Sequence, residues 1–581
     1  MDADRQMAAM NMEETKTSSN VHLQNLDRDQ LMAAEANGDT GSDGDDAFDN
    51  AAIHPSTPDI SMSRARAIAL VATVMGASFL NTLSGQALVI ILPSIGNELS
   101  IPVSRQQWIV SAYSLAFGCF LLVWGRIADL YGKRLIFILG SAWVSLTLAI
   151  NPFVRNEAGF AVFRGLQGLG AAANVPTAIG ILGTTFPPGK AKNYAFSTYA
   201  AGAPLGSIFG NILGGVIANY VDWKWVLWVL AILAALVTVA GFFVIPPPPT
   251  TLKAHGATIT ATVDWVGAVL VTVGLMLLLF ALTEGNVVGW STFWIPLLIV
   301  ISLLLIALFI FWQHRLEKRG GQTPLMKVSI FGNRRFSAAM AIMCLFFGAF
   351  NGYLIFTTYF FQDYQGLSPI QTTLRFIPTG VVGILTALVC GKLLAHVPTN
   401  YILTFGNASN TLSCLLFALP IPPTTSYFAY GLPAMILSVL GADTSWPGLM
   451  LFTSQSLPQA DQAMGGALVN AVGQLGRALG LAVATAVQTA VMASARGVSV
   501  EHSGPLEVGD DPTLKGLRAA QWTNFGIGAA GLGVVLVLFR GAGVVGRTVT
   551  NTKGATDLKQ ESGSENTVLA GERPTEDGRD V

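Results

Sequence analysis

Three ionisable side chains lie within long apolar stretches, and they are the residues of this sequence best suited to move a proton. Asp443 could bind and release one, while Arg164 and Arg477 carry permanent positive charges. A charge inside an apolar environment is costly, so it normally faces a polar partner or a wet cavity. We interpret the three as proton-coupling candidates, in which Asp443 exchanges the proton and one of the arginines adjusts its proton affinity. A fixed structural ion pair is the alternative interpretation.

The sequence lacks the motifs of several other functional classes. A Walker A motif needs Gly-x-x-x-x-Gly-Lys-Ser/Thr to hold phosphates, whereas the segment from Gly183 to Ala191 has a different spacing and no closing hydroxyl. The six histidines are scattered and the four cysteines lie in apolar stretches, so we expect no metal site, no cofactor and no disulfide framework. We therefore expect neither an enzyme nor a protein that uses ATP as its energy source.

Apolar residues dominate the elements that must position these side chains. Of the 581 residues, 52% are hydrophobic and 12% are charged. Soluble domains carry about 25% charged residues, so most of this surface must face lipid. Because a helix needs about 20 mostly apolar residues to cross a bilayer, the sequence predicts an all-α integral membrane protein. Its fourteen predicted spans are 67–92, 107–126, 134–153, 159–183, 193–218, 224–245, 264–283, 293–313, 336–361, 371–395, 401–421, 428–452, 464–492 and 521–545.

The charges divide the chain into a basic body and two acidic tails. Residues 64–547 hold 26 basic and 14 acidic residues, whereas the tails 1–63 and 548–581 hold 13 and 7 acidic ones. Tails with so little apolar content cannot offset the entropy of ordering, so we expect both to be disordered. Lysine and arginine accumulate in the loops on the side of the tails, and an even number of spans places both tails together. Both tails are therefore predicted to be cytoplasmic.

The turn between the second and third predicted spans contains a candidate conformational lock. It consists of Gly125, Asp129, Gly132, Lys133 and Arg134. The glycines permit a tight turn, and Asp129 can accept hydrogen bonds at a helix N-terminus or pair with a basic residue. Such contacts would form in one conformation and break in the other. A solvated loop is the alternative interpretation.

These motifs resemble those of the major facilitator superfamily. The segment from Gly125 resembles its first signature, Gly-x-Leu-Ala-Asp-Arg-x-Gly-Arg-Lys, with Leu130 where a basic residue is usual. The segment from Arg164 through Gln167 to Gly170 resembles the second signature, Arg-x-x-Gln-Gly-x-Gly. The resemblance implies that Arg164 takes part in proton coupling, as its counterpart is implicated to do in relatives.

The fifth predicted span resembles an antiporter signature that ends Gly-Pro-x-x-Gly-Gly. The corresponding residues are Gly206, Gly210, Asn211, Gly214 and Gly215, with Asn211 in place of the proline. Glycines at this spacing lie along one helix face, so plain close packing between helices would also explain them.

Further segments resemble the fourteen-helix drug:proton antiporter family. They are Asp264 to Gly267, Tyr364 to Pro369 and Arg375 to Pro378. Trp108 to Ser114 and Gly441 to Pro447 are similar to a fungal branch that contains aminotriazole-resistance, boron-efflux and low-affinity ammonium transporters. The resemblance implies a major facilitator fold with a six-helix bundle at 64–245, two inserted helices and a cytoplasmic loop at 246–335, and a second six-helix bundle at 336–547.

Two departures from the family pattern change where the chemistry is expected. The first span has Ser84 where the family has an acidic residue, and the nearby Asn81 does not titrate either. A proton carrier must therefore lie elsewhere. In the thirteenth span the family has an arginine at the position of Gly473, whereas this sequence has its arginine at position 477. A shift of four residues keeps the side chain on the same helix face.

We therefore expect proton-coupled export of a small organic compound by alternating access around a midplane cavity, across the plasma membrane or else the vacuolar membrane. Transport of a small inorganic or nitrogenous solute such as borate or ammonium is the alternative, and a non-transporting sensor is a third. The expected partners are the small-molecule substrate, protons and the lipid bilayer, without nucleic acid, and the protein is expected to be a monomer. The candidate cavity residues are Asn81, Gln86, Gln167, Asn351, Tyr353 and Trp446.

Overall fold

Long α-helices make up almost all of the computed structural model, which describes residues 62–101, 103–247, 263–319, 323–458, 461–541 and 543–544. The two acidic tails lie outside the described residues, apart from residues 62 and 63. Fourteen helices of 18 residues or more occur in the described part of the chain. They are α1 (Arg64–Glu98), α2 (Val103–Tyr131), α3 (Lys133–Ile150), α4 (Glu157–Thr185), α5 (Lys190–Tyr220), α6 (Trp223–Val244), α7 (Trp265–Val288), α8 (Trp294–Arg319), α9 (Arg334–Tyr359), α10 (Pro369–His396), α11 (Thr399–Ala418), α12 (Tyr427–Gln455), α13 (Gln462–Arg496) and α14 (Asp511–Leu538).

Twelve of these helices are long and apolar enough, taken alone, to cross a membrane. The other two are α4 and α11, which bury polar residues inside the bundle. Arg164 and Gln167 are buried on α4, and Asn407 and Asn410 are buried on α11. A helix enclosed by other helices needs less apolar surface than one that faces lipid. The expectation that α4 and α11 also span the membrane stays a prediction.

Polar side chains define where several helices begin. Asn156 accepts a hydrogen bond from the backbone N–H of Gly159 at 2.7 Å, and Asp264 accepts one from Gly267 at 3.0 Å. Ser368 forms a capping box with Gln371. The first backbone N–H groups of a helix have no partner within the helix, so these side chains satisfy them and fix the register of α4, α7 and α10.

The same packing pattern occurs twice. In the first half, α1–α6, helix α1 packs along α5 and α6, α2 packs on α4, and α3 packs on α4 and α6. In the second half, α9–α14, helix α9 packs along α13 and α14, α10 packs on α12, and α11 packs on α12 and α14. Helices α7 and α8 form a separate pair, and α7 contacts both α2 and α13. The two halves meet through α2 and α4 against α13, and through α5 against α10 and α12.

A glycine stripe on α5 lets this helix approach α1 closely. A Cβ atom at Gly210 would lie 2.7 Å from the carbonyl oxygen of Leu83, and one at Gly214 would lie 2.8 Å from that of Ala87. The position of Gly206 is equally crowded, by the carbonyl of Phe79. The stripe is therefore a helix packing surface, as small residues in membrane helices commonly are.

The second half repeats this device on α13. A Cβ atom at Gly480 would lie 2.5 Å from the Cα of Gly348 on α9, and one at Gly476 would collide with the carbonyl of Cys344. Since α13 and α9 occupy the places that α5 and α1 occupy in the first half, close glycine contacts hold the corresponding helix pair in each half.

Candidate functional site

Asp129 joins the two halves at one end of the bundle, which we call the motif end because it carries the turn between α2 and α3. Its carboxylate accepts hydrogen bonds from the backbone N–H groups of Ala463 at 3.1 Å and Met464 at 2.8 Å. The ammonium of Lys133 lies 2.9 Å from the same carboxylate. Because Ala463 and Met464 lie in the first turn of α13, the carboxylate satisfies unpaired N–H groups and meets the positive end of the helix dipole.

The other residues of the candidate lock shape this contact or stabilise the first half. Gly125 allows α13 to approach, since a Cβ atom there would lie 2.5 Å from the Cβ of Ala467 and 3.1 Å from the carbonyl oxygen of Ala463. Gly132 has φ of 105° in the turn before α3, a backbone region that favours glycine. Arg134 donates a hydrogen bond to the carbonyl of Phe242 at 2.6 Å. Arg134 therefore ties α3 to α6 within the first half and makes no bond to α13.

Asp461 is a second acidic residue of the motif end, and the sequence interpretation missed it. Its carboxylate lies 3.3 Å from Arg126 on α2 and 3.3 Å from Lys327 in the segment between α8 and α9. The one indication in the sequence of a role for Asp461 is its position directly before α13. Its partners could not be predicted, because they are far away in the chain. Two carboxylates therefore close the motif end. Asp129 of the first half contacts α13 of the second, and Asp461 of the second half contacts Arg126 of the first.

A buried polar network lies inside the first half. The guanidinium of Arg164 lies 4.8 Å from the ring centroid of Tyr113 and donates to the carbonyl of Ile109 at 3.3 Å and to Gln167. Gln167 in turn donates to Ser84 at 2.8 Å. Ser84, at the position where the family has an acidic residue, thus ends a hydrogen-bond chain that begins at Arg164 and links α4 to α1.

Two candidate cavity residues line a space within the first half and not between the halves. Asn81, which accepts a hydrogen bond from Tyr113, and Gln167 border a cavity of about 30 Å³ together with Ser84 and Asn174. A cavity of this size has room for about one water molecule. Gln86 instead packs beside Gly210 of α5, with its Cβ 2.9 Å from the place of a Cβ there.

Asp443 and Arg477 occupy the centre of the second half. Asp443 lies 16 residues from the beginning of α12 and 12 from its end, and Arg477 lies 15 and 19 residues from the ends of α13. Within the described helices, they are the only carboxylate and the only cation that lie more than ten residues from both helix ends. The middle of the bundle therefore contains one acid and one base.

The carboxylate of Asp443 points toward the other half. A Cβ atom at Gly383 of α10 would lie 2.9 Å from Asp443 Oδ2 and 3.5 Å from the Cβ of Pro204 on α5. Asp443 Oδ2 is buried and has no hydrogen-bond partner among the described residues. Asp443 Oδ2 thus lies beside the α5–α10 contact between the halves, and Asp443 forms no ion pair within the part of the chain that the structure describes.

Arg477 points in a different direction. Its guanidinium lies 4.5 Å from the ring centroid of Phe347 on α9, and that ring packs 5.2 Å from the ring of Trp446. The partners of Arg164 all lie in the first half. The structure therefore does not bring the three proton-coupling candidates together: Asp443 forms no ion pair with Arg477 or Arg164.

The remaining cavity candidates of the second half separate into two groups. Trp446 lies one turn from Asp443 on α12 and is only half-buried, as is Asn351 on α9. Tyr353 is fully buried, and its ring packs 5.8 Å from that of Phe417. Tyr353 is therefore a core residue and not part of a cavity wall, because its position on α9 faces α11 and α12 within the same half.

The glycines of the antiporter-type motif do not pack against the central acid in the described structure. Gly206, Gly210 and Gly214 pack against α1, and no described atom of another element lies within 4 Å of the place of a Cβ at Gly215. The side chain of Asn211 lies outside the part of the chain that the structure describes.

A comparison with protein families decides the identity of this fold. Residues 74–287 and 265–481 match the model of the Major Facilitator Superfamily. The chain belongs to this superfamily. It is therefore a multi-pass membrane transporter with a small-molecule substrate, and it is not an enzyme.

Individual relatives agree with this assignment. The chain is 30% identical over 446 residues to the low affinity ammonium transporter of Saccharomyces cerevisiae, covering 76% of this chain and 82% of the relative. It is 31% identical to a major facilitator superfamily multidrug transporter of Aspergillus fumigatus, over 75% of this chain and 72% of the relative. The crystal structure of the human organic anion transporter MFSD10 shares the fold with a TM-score of 0.57 at 17% identity, over 81% of this chain and 99% of that one.

Proposed function

We propose that this superfamily member is a proton-coupled transporter that exports a small organic compound by alternating access. The observation that carries the proposal is the isolation of Asp443. It is a carboxylate in the middle of α12, beside the boundary between the halves, and no described residue hydrogen-bonds to its Oδ2 or forms an ion pair with it. Burying an ionised carboxylate in this way is costly, so a proton is the simplest partner for Asp443 in this conformation.

The position of Asp443 explains how transport would release this proton. Its carboxylate lies next to Gly383 and Pro204, and Pro204 belongs to the half that must move relative to α12. Rocking of the two halves changes the contact between α5 and α10, and with it the access of water to the carboxylate. Proton binding and the direction in which the transporter opens are thereby linked.

Arg477 is the second participant in the proposed cycle. Measured from the motif end, Asp443 lies about 18 Å along α12 and Arg477 about 22 Å along α13, at 1.5 Å per residue. Two opposite charges at similar depth on helices of the same half can approach each other when the half changes shape. A guanidinium that reached Asp443 would stabilise its ionised form and displace the proton.

We further propose that the motif end faces the cytoplasm. Lys133, Arg134 and Lys327 belong to this end, and cytoplasmic loops carry the excess of positive charge. The conformation described above, in which Asp129 and Asp461 connect the halves, is then closed toward the cytoplasm. The proposed site of action is the plasma membrane, with the protein as a monomer exchanging protons for cargo.

Transport of a small nitrogenous or inorganic solute is the second candidate. The 30% identity to the low affinity ammonium transporter of Saccharomyces cerevisiae supports it. The identity to the Aspergillus fumigatus multidrug transporter is similar, at 31%. The two candidates differ in substrate size, which an experiment can distinguish.

A transport screen in cells tests the proposal. Host cells that lack their own exporters would express the wild-type chain, Asp443→Asn, or the control Asp511→Asn, whose carboxylate pairs with the exposed Lys515 of its own helix. Their sensitivity to a panel of aromatic toxins, to borate and to methylammonium would be measured at equal expression. We expect the wild type and the control to protect against organic toxins and Asp443→Asn to fail. Altered response to methylammonium or borate alone would favour the second candidate, and full protection by Asp443→Asn would contradict the role of Asp443.

A further inference from the structure

We infer that residues 324–332, between α8 and α9, form a strap that holds the motif end closed, so that the two inserted helices take part in gating. The inference rests on the alternating access of the proposed function, since a strap matters only if the motif end opens. It does not depend on the nature of the cargo or on proton coupling.

The strap is fixed to the inserted helix pair by hydrogen bonds. The backbone N–H of Met326 donates to Gln313 of α8 at 3.2 Å, and that of Ser329 donates to Glu317 of α8 at 3.1 Å. Gln313 also donates to Asp264, the residue that caps α7, at 2.7 Å. The strap, α7 and α8 therefore form one connected unit.

The strap is also fixed to the closed motif end. Its Lys327 ammonium lies 3.3 Å from Asp461, the residue that also binds Arg126 of α2. Leu325 is 1% exposed and Met326 is 9% exposed. The cavity that remains beneath them, bordered by Arg126 and Met464, is about 20 Å³, which is the space of about one water molecule. The strap thus covers the contact between α2 and α13 tightly.

This double attachment makes the strap sensitive to opening. Arg126 belongs to the first half, whereas Asp461 and Met464 belong to the second. The strap is bound to α8, and α7 packs on both α8 and α2. A strap that stays with α7 and α2 when α2 and α13 separate loses the bond from Lys327 to Asp461. In that movement Lys327 adds to the stability of the closed state, although it belongs to neither half of the bundle.

Hydrogen exchange at the beginning of α13 tests the inference in the purified full-length protein. The N–H groups of Ala463 and Met464 donate to Asp129 only while the motif end is closed, so their exchange rate reports opening. Lys327→Ala should speed it about threefold, since its side chain is 52% exposed and such pairs are individually weak. The control is Lys318→Ala, an exposed residue at the end of α8, which should leave the exchange rate unchanged.

Asp461→Asn is the stronger variant, because it weakens the bonds to Lys327 and Arg126 together. We expect at least a tenfold increase in exchange at Ala463 and Met464, with a thermal unfolding midpoint close to that of the wild type. Unchanged exchange in both variants would overturn the inference, and so would an increase in Asp461→Asn without one in Lys327→Ala, because the strap would then contribute nothing. Transport by the wild type without proton movement, together with faster exchange in Lys327→Ala, would contradict the proposed function and leave the strap inference intact.

Discussion

The carboxylate of Asp129 on α2 accepts a hydrogen bond from the backbone N–H of Met464 on α13 at 2.8 Å. This bond crosses from the first half of the bundle to the second. It places a full negative charge at the N-terminus of a 35-residue helix, where the helix dipole favours it. Opening of the motif end must break it, so the bond stabilises one conformation of the transporter over the other.

Replacing Asp129 by asparagine should impair transport more than folding. Asparagine keeps one acceptor but loses the charge. A hydrogen bond to a charged group contributes about 1.5–3 kcal/mol to stability, whereas one between neutral groups contributes about 1 kcal/mol. We expect the transport rate to fall about fivefold or more at equal surface abundance, measured with the compound that the cell screen identifies. Asp511→Asn is the matched control. Wild-type flux in a correctly localised Asp129→Asn protein would contradict the role of this bond.

The glycine stripe of α5 predicts a stability difference between two neighbouring positions. Gly210→Ala would place a Cβ 2.7 Å from the carbonyl oxygen of Leu83, and overpacking of this kind costs about 1–3 kcal/mol. Gly215→Ala meets no atom within 4 Å and should be neutral or stabilise the helix by up to about 1 kcal/mol. Thermal unfolding in detergent should show a lower midpoint for Gly210→Ala only. Equal midpoints for the two variants would show that the stripe does not set the distance between α1 and α5.

Glu98 predicts a pH dependence at the opposite end of the bundle, beyond the apolar span Arg64–Leu92. Hydrogen bonds from Lys224 and from Trp223, each at 2.6 Å, hold the pKa of the Glu98 carboxyl below its usual range. Because the folded protein lowers this pKa, the contact stabilises the fold at neutral pH, and the stabilisation is lost as the pH falls through the lowered value. Glu98→Gln should therefore be less stable than the wild type near pH 7, by about 0.2–1 kcal/mol for an exposed pair. The difference should shrink as the pH falls below the usual range of a glutamate carboxyl, and a difference that grows on acidification would have the wrong sign.

Residue type and local spacing were enough to predict the helical fold and the kind of contact that Asp129 makes. In the turn from Gly125 to Arg134, a carboxylate can accept hydrogen bonds from the N–H groups of a helix N-terminus or pair with a basic residue. Asp129 makes both kinds of contact. The partners of Asp461 could not be predicted in the same way. Arg126 and Lys327 lie 335 and 134 residues away from it in the chain, and only the packing of α2, α13 and the strap brings them together.

The relationship between Asp443 and Arg477 shows a second limit of prediction from the sequence. Counting residues gives the depth of each side chain in its helix, and the depths are similar. It does not give the rotation of α12 relative to α13, which directs Asp443 toward α5 and α10 and Arg477 toward Phe347. Tyr353 is a similar case, since an aromatic residue in a predicted span fits a cavity wall and a core equally well until the neighbouring helices are known.

The most direct measurement of the central claim is the movement of protons during transport by purified protein in vesicles that enclose a pH-sensitive dye. Adding the cargo identified in the cell screen to wild-type vesicles should move protons in the direction opposite to the cargo, at a rate that depends on cargo concentration. Asp443→Asn should still bind the cargo and produce no proton signal. Cargo flux without a pH change in the wild type, or an unchanged proton signal in Asp443→Asn, would contradict the claim that this buried carboxylate couples the two flows.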